Sequence, residues 1–117
     1  MKRLIILQLA LAGCAAGSGL CGGAALAADA TRGKQTYIRV GCFECHGHVG
    51  QGGAAGLKLA PDPLPFDALA NFVRTTSGQM PRYSTKILSD DDLADIYAYL
   101  QSIPKPPDPK NIPALSP

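Results

Sequence analysis

Beyond its first 27 residues, this 117-residue chain has no apolar run that is not soon broken by Lys, Arg, Asp or Glu, no alternation of apolar and polar residues, and no internal repeat. The first absence excludes a membrane span from that part of the chain, because a spanning helix needs about 20 consecutive apolar residues. The second argues against a sheet, whose side chains have a period of two. Charge of one sign is missing as well. The chain has eleven Lys+Arg against nine Asp+Glu, and without Lys2 and Arg3 the signs balance, so nothing points to nucleic acid. No nucleophile with a neighbouring base, no acid/base pair and no phosphate-cradling loop is visible, which argues against a self-contained catalyst. Histidine and methionine number only two each, so every one can be weighed individually.

The start of the chain reads as an export signal over residues 1–27. Met1-Lys2-Arg3 is a positive n-region, Leu4 to Ala12 a short apolar h-region, and Ala25-Leu26-Ala27 an A-x-A cleavage site. Leu11-Ala12-Gly13-Cys14 also resembles a bacterial lipobox, which would put a lipid on Cys14 and make the following Gly/Ala-rich stretch a tether to a membrane surface. That modification, or a signal that stays uncleaved as an anchor, would hold the protein at a membrane; otherwise it is exported free. Cleavage after Ala27 removes Cys14 and Cys21 and leaves Cys42 and Cys45 as the only cysteines. The remaining chain is close to the lower limit for a stable apolar core unless a cofactor fills it.

Those two cysteines lie in Cys42-Phe43-Glu44-Cys45-His46, the C-x-x-C-H spacing of covalent haem attachment. Two sulfurs three positions apart form thioethers to the haem vinyl groups, and the histidine that follows supplies the proximal nitrogen. A thioredoxin-like CxxC belongs at the end of a strand in a βαβ pattern, whereas the residues before Cys42 read as a helix. A zinc site of Cys42, Cys45, His46 and His48 would crowd four ligands into seven residues, where tetrahedral sites take pairs from separated segments.

The rest reads as helices and loops. Asp29 caps a first helix with Gly33, Tyr37 and Val40 or Gly41 on one side, and Gly41 loosens it before the first thioether. Residues 47–65 are rich in Gly, Ala and Pro and read as a loop wrapping the cofactor. Phe66, Leu69, Ala70 and Val73 mark a second helix that ends by Ser77-Gly78. Ser89 caps a last helix with acids in its first turn and an apolar stripe of Leu93, Ile96, Tyr97, Leu100 and Ile103, stopped by Pro104. Residues 104–117 form a proline-rich tail, expected to lie extended on the surface or be disordered. Lys58, Arg74, Arg82 and Lys86 flank the middle segments as a candidate docking edge, against a reading as solvated charge.

On the distal side of the iron, His48 sits too close to His46 to reach around the macrocycle and reads as a solvated loop residue. Met80 is the only thioether left after the signal, stands in the turn-forming Ser77-Gly78-Gln79-Met80-Pro81, and lies thirty-four residues from His46, ample chain to reach the opposite face. The candidate site is therefore Cys42, Cys45, His46 and Met80 for one haem c, with His46 and Met80 on the iron.

Cys42, Cys45, His46, Met80-Pro81 and the helix Asp95-Ile96-Tyr97-Ala98-Tyr99-Leu100 together resemble the small class I c-type cytochromes of bacterial periplasms, over about residues 30 to 103. The resemblance implies an all-α cytochrome c-like fold, three to four helices wrapped around one covalently bound haem over residues 28–103. In it, Gly33 lets the last helix cross the first, with Tyr99 or Tyr97 packed at the crossing. Where the family often has Gly-Pro after the haem motif, this chain has Gly56-Leu57, with Pro61 and Pro63 later, which leaves open the carbonyl that orients His46. Gly50-Gln51-Gly52-Gly53 and Met80-Pro81-x-Tyr83 are similar to cytochromes that accept electrons from a periplasmic dehydrogenase or hydroxylase. The function implied is a single-electron shuttle from such a donor to an oxidase or another cytochrome, free in the periplasm or held as a dedicated subunit. The alternative is a haem enzyme or gas-binding protein with an open distal site, for which Gln79 and Arg82 are the nearby polar groups.

Overall fold

The structure is a computed structural model that describes residues 27–115; the export-signal and lipobox readings fall on residues 1–26 and lie outside them. Four helices follow one another: α1 (Ala30–Arg39), α2 (Cys42–His46), α3 (Phe66–Thr75) and α4 (Asp90–Ser102), with two short 3-10 turns after them and no strand among the described residues.

Helix α1 starts where Asp29 accepts a hydrogen bond from the Arg32 amide, and ends at Val40, before Gly41 turns the chain at φ +84°. That left-handed conformation suits glycine and separates α1 from the single turn of α2. Helix α4 is capped by the Ser89 hydroxyl, which accepts from the Asp92 amide, and Asp90, Asp91 and Asp92 sit at the positive end of its dipole. Its Leu93, Ile96 and Leu100 are buried and contribute roughly 1.5–3 kcal/mol each by leaving water.

Helices α1 and α4 cross at Gly33. A Cβ there would lie 1.9 Å from the Asp95 carbonyl oxygen, so only glycine permits this approach. Tyr37 and Tyr99 fill the crossing edge to face, their ring centroids 5.6 Å apart. Tyr99 is thus the residue at the crossing, while Tyr97 packs on Phe66 of α3. Beside it the buried Asp95 carboxylate accepts from the Asp29 amide (2.6 Å) and from Nε and Nη2 of Arg32 (2.8 and 2.9 Å). Leu69 and Val73 of α3, Leu88 and Ala60 complete the core.

The tail, expected to lie extended on the surface or be disordered, forms short turns instead. Residues 104–111, 113 and 114 lie exposed, but Pro109–Asn111 and Pro113–Leu115 form 3-10 turns, the first capped by Asp108, whose side chain accepts from the Lys110 amide. Proline's fixed φ serves a tight turn as well as an extended chain, and the aspartate's local hydrogen bond tips the balance.

Candidate haem-attachment site

Helix α2 is one turn long, bounded by Gly41 at φ +84° and Gly47 at φ +77°. Residues three and four apart share a helix face, so Cys42, Cys45 and His46 present their side chains to the same side. Cys42 is half-buried and packs against the core. Burial, with a smaller contribution from Cys45, pushes its thiol up to about 11. A redox-active or metal-binding cysteine needs the opposite shift, towards thiolate. Among the described residues no three His, Cys, Asp or Glu side chains converge to hold a metal ion, so the four donors of the zinc reading are not gathered.

The His46 Nδ1 lies 2.7 Å from the Leu57 carbonyl oxygen. A carbonyl only accepts, so Nδ1 carries the proton and donates it, and Nε2 keeps its lone pair for a metal. Leu57, its side chain 83% exposed, is held there through its backbone. Gly56 makes the approach possible, since a Cβ on it would come 2.7 Å from the Cys45 carbonyl oxygen and 2.8 Å from His46 Nδ1. The carbonyl left open by the sequence is therefore that of Leu57, where the family pattern has proline.

The loop that delivers Leu57 is tied at many points. The Gly52 amide donates to the His46 carbonyl, the Leu59 and Ala60 amides both donate to Gly50, and the Val49 amide donates to Gln51 Oε1. From the helix crossing, the Tyr37 hydroxyl donates to the Gly47 carbonyl and the Tyr99 hydroxyl to the His48 carbonyl, each at 2.8 Å. Burial holds both phenols above their usual range, so they stay donors. These tyrosine–loop bonds were missed in the sequence. The available signal was tyrosine instead of phenylalanine at buried positions, since a buried hydroxyl needs a partner.

Met80 stands on the α3–α4 connection, half-buried against the same core cluster as Cys42, Phe43 and Tyr83. His48 is exposed, its ring resting on Phe43 at 4.9 Å. The four basic residues do not behave alike. Lys58, Arg82 and Lys86 are exposed. Arg74 is only 20% exposed, paired with Asp90 at 2.7 Å and donating to the Tyr83 carbonyl, so it braces the connection instead of forming part of a free docking edge. Arg82 Nε donates to the Thr76 carbonyl, leaving its charge outward.

Half-buried thiols, a histidine with its nitrogen freed and a half-buried thioether fit a haem, and they fit a hydrated metal ion or a thiolate catalyst badly. The class so defined is the all-α c-type cytochrome domain. Residues 28–100 match the family described as cytochrome c oxidase, cbb3-type, subunit III. The chain belongs to this family, whose cofactor is haem c. It is similar to the cytochrome bc1 complex cytochrome c subunit of Corynebacterium diphtheriae, 36% identical over 83 residues, which is 68% of this chain and 29% of that protein. The subunit of the same name from Corynebacterium efficiens is 34% identical over 84 residues, 69% of this chain and 28% of that protein. The chain thus spans less than a third of the length of these curated relatives. No solved structure matches it significantly. No helix among the described residues is long and apolar enough to cross a membrane.

Proposed function

We propose that this chain is an exported monohaem c-type cytochrome that carries single electrons from a periplasmic dehydrogenase or hydroxylase to a respiratory acceptor. The observation that carries this reading is the His46–Leu57 hydrogen bond, which frees Nε2 on the same one-turn helix that presents both cysteines. Cys42 and Cys45 would hold the group covalently, and His46 and Met80 would supply a nitrogen and a sulfur to its iron. Haem iron supplies the one-electron Fe(III)/Fe(II) couple. Leu57 keeps the proximal imidazole oriented and electron-rich. The apolar cluster that Met80 packs against would keep water from that side of the group, lower the local dielectric and favour its less charged state. With His46 and Met80 both committed to the iron, the site would pass electrons and leave no place for small ligands.

Carbon monoxide added to the reduced protein tests this. An unchanged spectrum and a one-electron redox titration support the carrier. A shifted spectrum supports the alternative, an open distal site with Gln79 and Arg82 beside it. The named relatives favour a second reading of the partner, a cytochrome domain serving a bc1-type complex. Co-purification distinguishes the two: a soluble donor enzyme supports the first, a membrane complex the second.

A further inference from the structure

Around Met80 the α3–α4 connection is tied to the rest of the chain by hydrogen bonds chiefly at one residue, upstream of the buried Leu88. Among the described residues, 77–81 make no hydrogen bond to the rest of the chain, and a Cβ on Gly78 would meet nothing within 4 Å. Tyr83, three positions after Met80, makes three hydrogen bonds. Its amide donates to the Val73 carbonyl (3.1 Å), its carbonyl accepts from Arg74 Nη1 (2.8 Å), and its hydroxyl donates to the Val40 carbonyl (2.9 Å). The first two hold it to α3. The third crosses the molecule to a residue 43 positions away, at the end of α1 and two before Cys42.

We propose that Tyr83 is a positioning residue whose hydroxyl latches the Met80 loop to the turn that opens the C-x-x-C-H motif, holding the two axial sides of the site as one unit. The inference rests on the reading of Met80 as a ligand. Phenylalanine would fill the same half-buried space and keep both bonds to α3, so the hydroxyl is what distinguishes tyrosine here. A loop released from Val40 opens more often, and an external ligand that binds only the open form gains apparent affinity in proportion to the open fraction.

The test uses the purified haem-loaded protein, Tyr83→Phe and Met80→Ala, with imidazole as the external ligand to Fe(III). Removing one hydrogen bond, about 1 kcal/mol at 1.36 kcal/mol per tenfold, should tighten imidazole binding about fivefold in Tyr83→Phe while the red absorption band of thioether-bound Fe(III) persists. Amide exchange over residues 77–88 should speed up by a similar factor, with α1 and α4 unchanged. Equal imidazole affinity in wild type and Tyr83→Phe overturns the latch, as does exchange that rises equally in α1 and α4. If the wild type lacks the thioether band and matches Met80→Ala, the ligand reading fails instead, and exchange over 77–88 still decides whether Tyr83 holds the loop.

Discussion

Replacing Gly33 with alanine adds one methyl group where α1 meets α4, and the cost can be worked from the distances. The new Cβ would stand 1.9 Å from the Asp95 carbonyl oxygen, 2.4 Å from its carbon and 2.9 Å from the Ile96 nitrogen. All three are backbone atoms of a helix, so no side chain can swing aside. Ordinary C···O contacts are about 3.3 Å or longer, so the helices must separate by more than about 1 Å. That separation stretches the hydrogen bonds of Asp95 to Arg32 and to the Asp29 amide, and loosens the Tyr37–Tyr99 contact. Overpacking costs about 1–3 kcal/mol, with strained cases beyond that, while alanine returns about 1 kcal/mol of helix propensity. A contact as short as 1.9 Å belongs at or beyond the upper end of that range, so a net loss of about 2 kcal/mol or more should lower the melting temperature of a domain of this size by roughly 8–16 °C. Circular dichroism melts of the haem-loaded protein measure it. Gly78→Ala is the control, since its Cβ meets nothing. A Gly33→Ala protein that melts with or above wild type would refute the close crossing.

Three further outcomes are expected. Arg32, hydrogen-bonded to Asp95, holds that carboxyl below the usual carboxylate range. A depressed folded pKa contributes stability that is present above the unfolded value, about pH 4, and is lost as pH falls further through the folded one. Acid titration of stability should therefore be steeper below about pH 4 in wild type than in Asp95→Asn, and identical slopes would refute the assignment. Gly56→Ala should push the Leu57 carbonyl away from His46, leave the imidazole less electron-rich and raise the reduction potential, as read by spectroelectrochemistry. Reversing the exposed Arg82 and Lys86 to Glu should slow reduction by an acidic partner at low ionic strength and have little effect at 1 M salt, where screening acts within about 3 Å. Equal rates at low salt would return them to solvated charge.

The helices were legible because their signals are local. Asp29 and Ser89 announce caps within three residues of the amides they bind, and the stripe Leu93, Ile96, Leu100 repeats with the helix period. The close crossing came from the family resemblance, with Gly33 as its mark. What escaped was long-range and made by backbone carbonyls: Leu57 on His46, Gly47 and His48 under the two tyrosine hydroxyls, Val40 under Tyr83. Every residue has a carbonyl, so the sequence carries no mark of which one a distant donor will meet. Arg74 looked like its basic neighbours because its pairing with Asp90 depends on how α3 and α4 come together.

The central claim is that Cys42 and Cys45 hold one haem through their sulfurs. Mass spectrometry of the denatured protein tests it most directly. It should give the polypeptide plus the mass of a single haem, carried on the peptide that contains Cys42 and Cys45 and lost from the double Cys→Ser variant. A bare polypeptide mass, with haem extracted into acidified acetone, would contradict it.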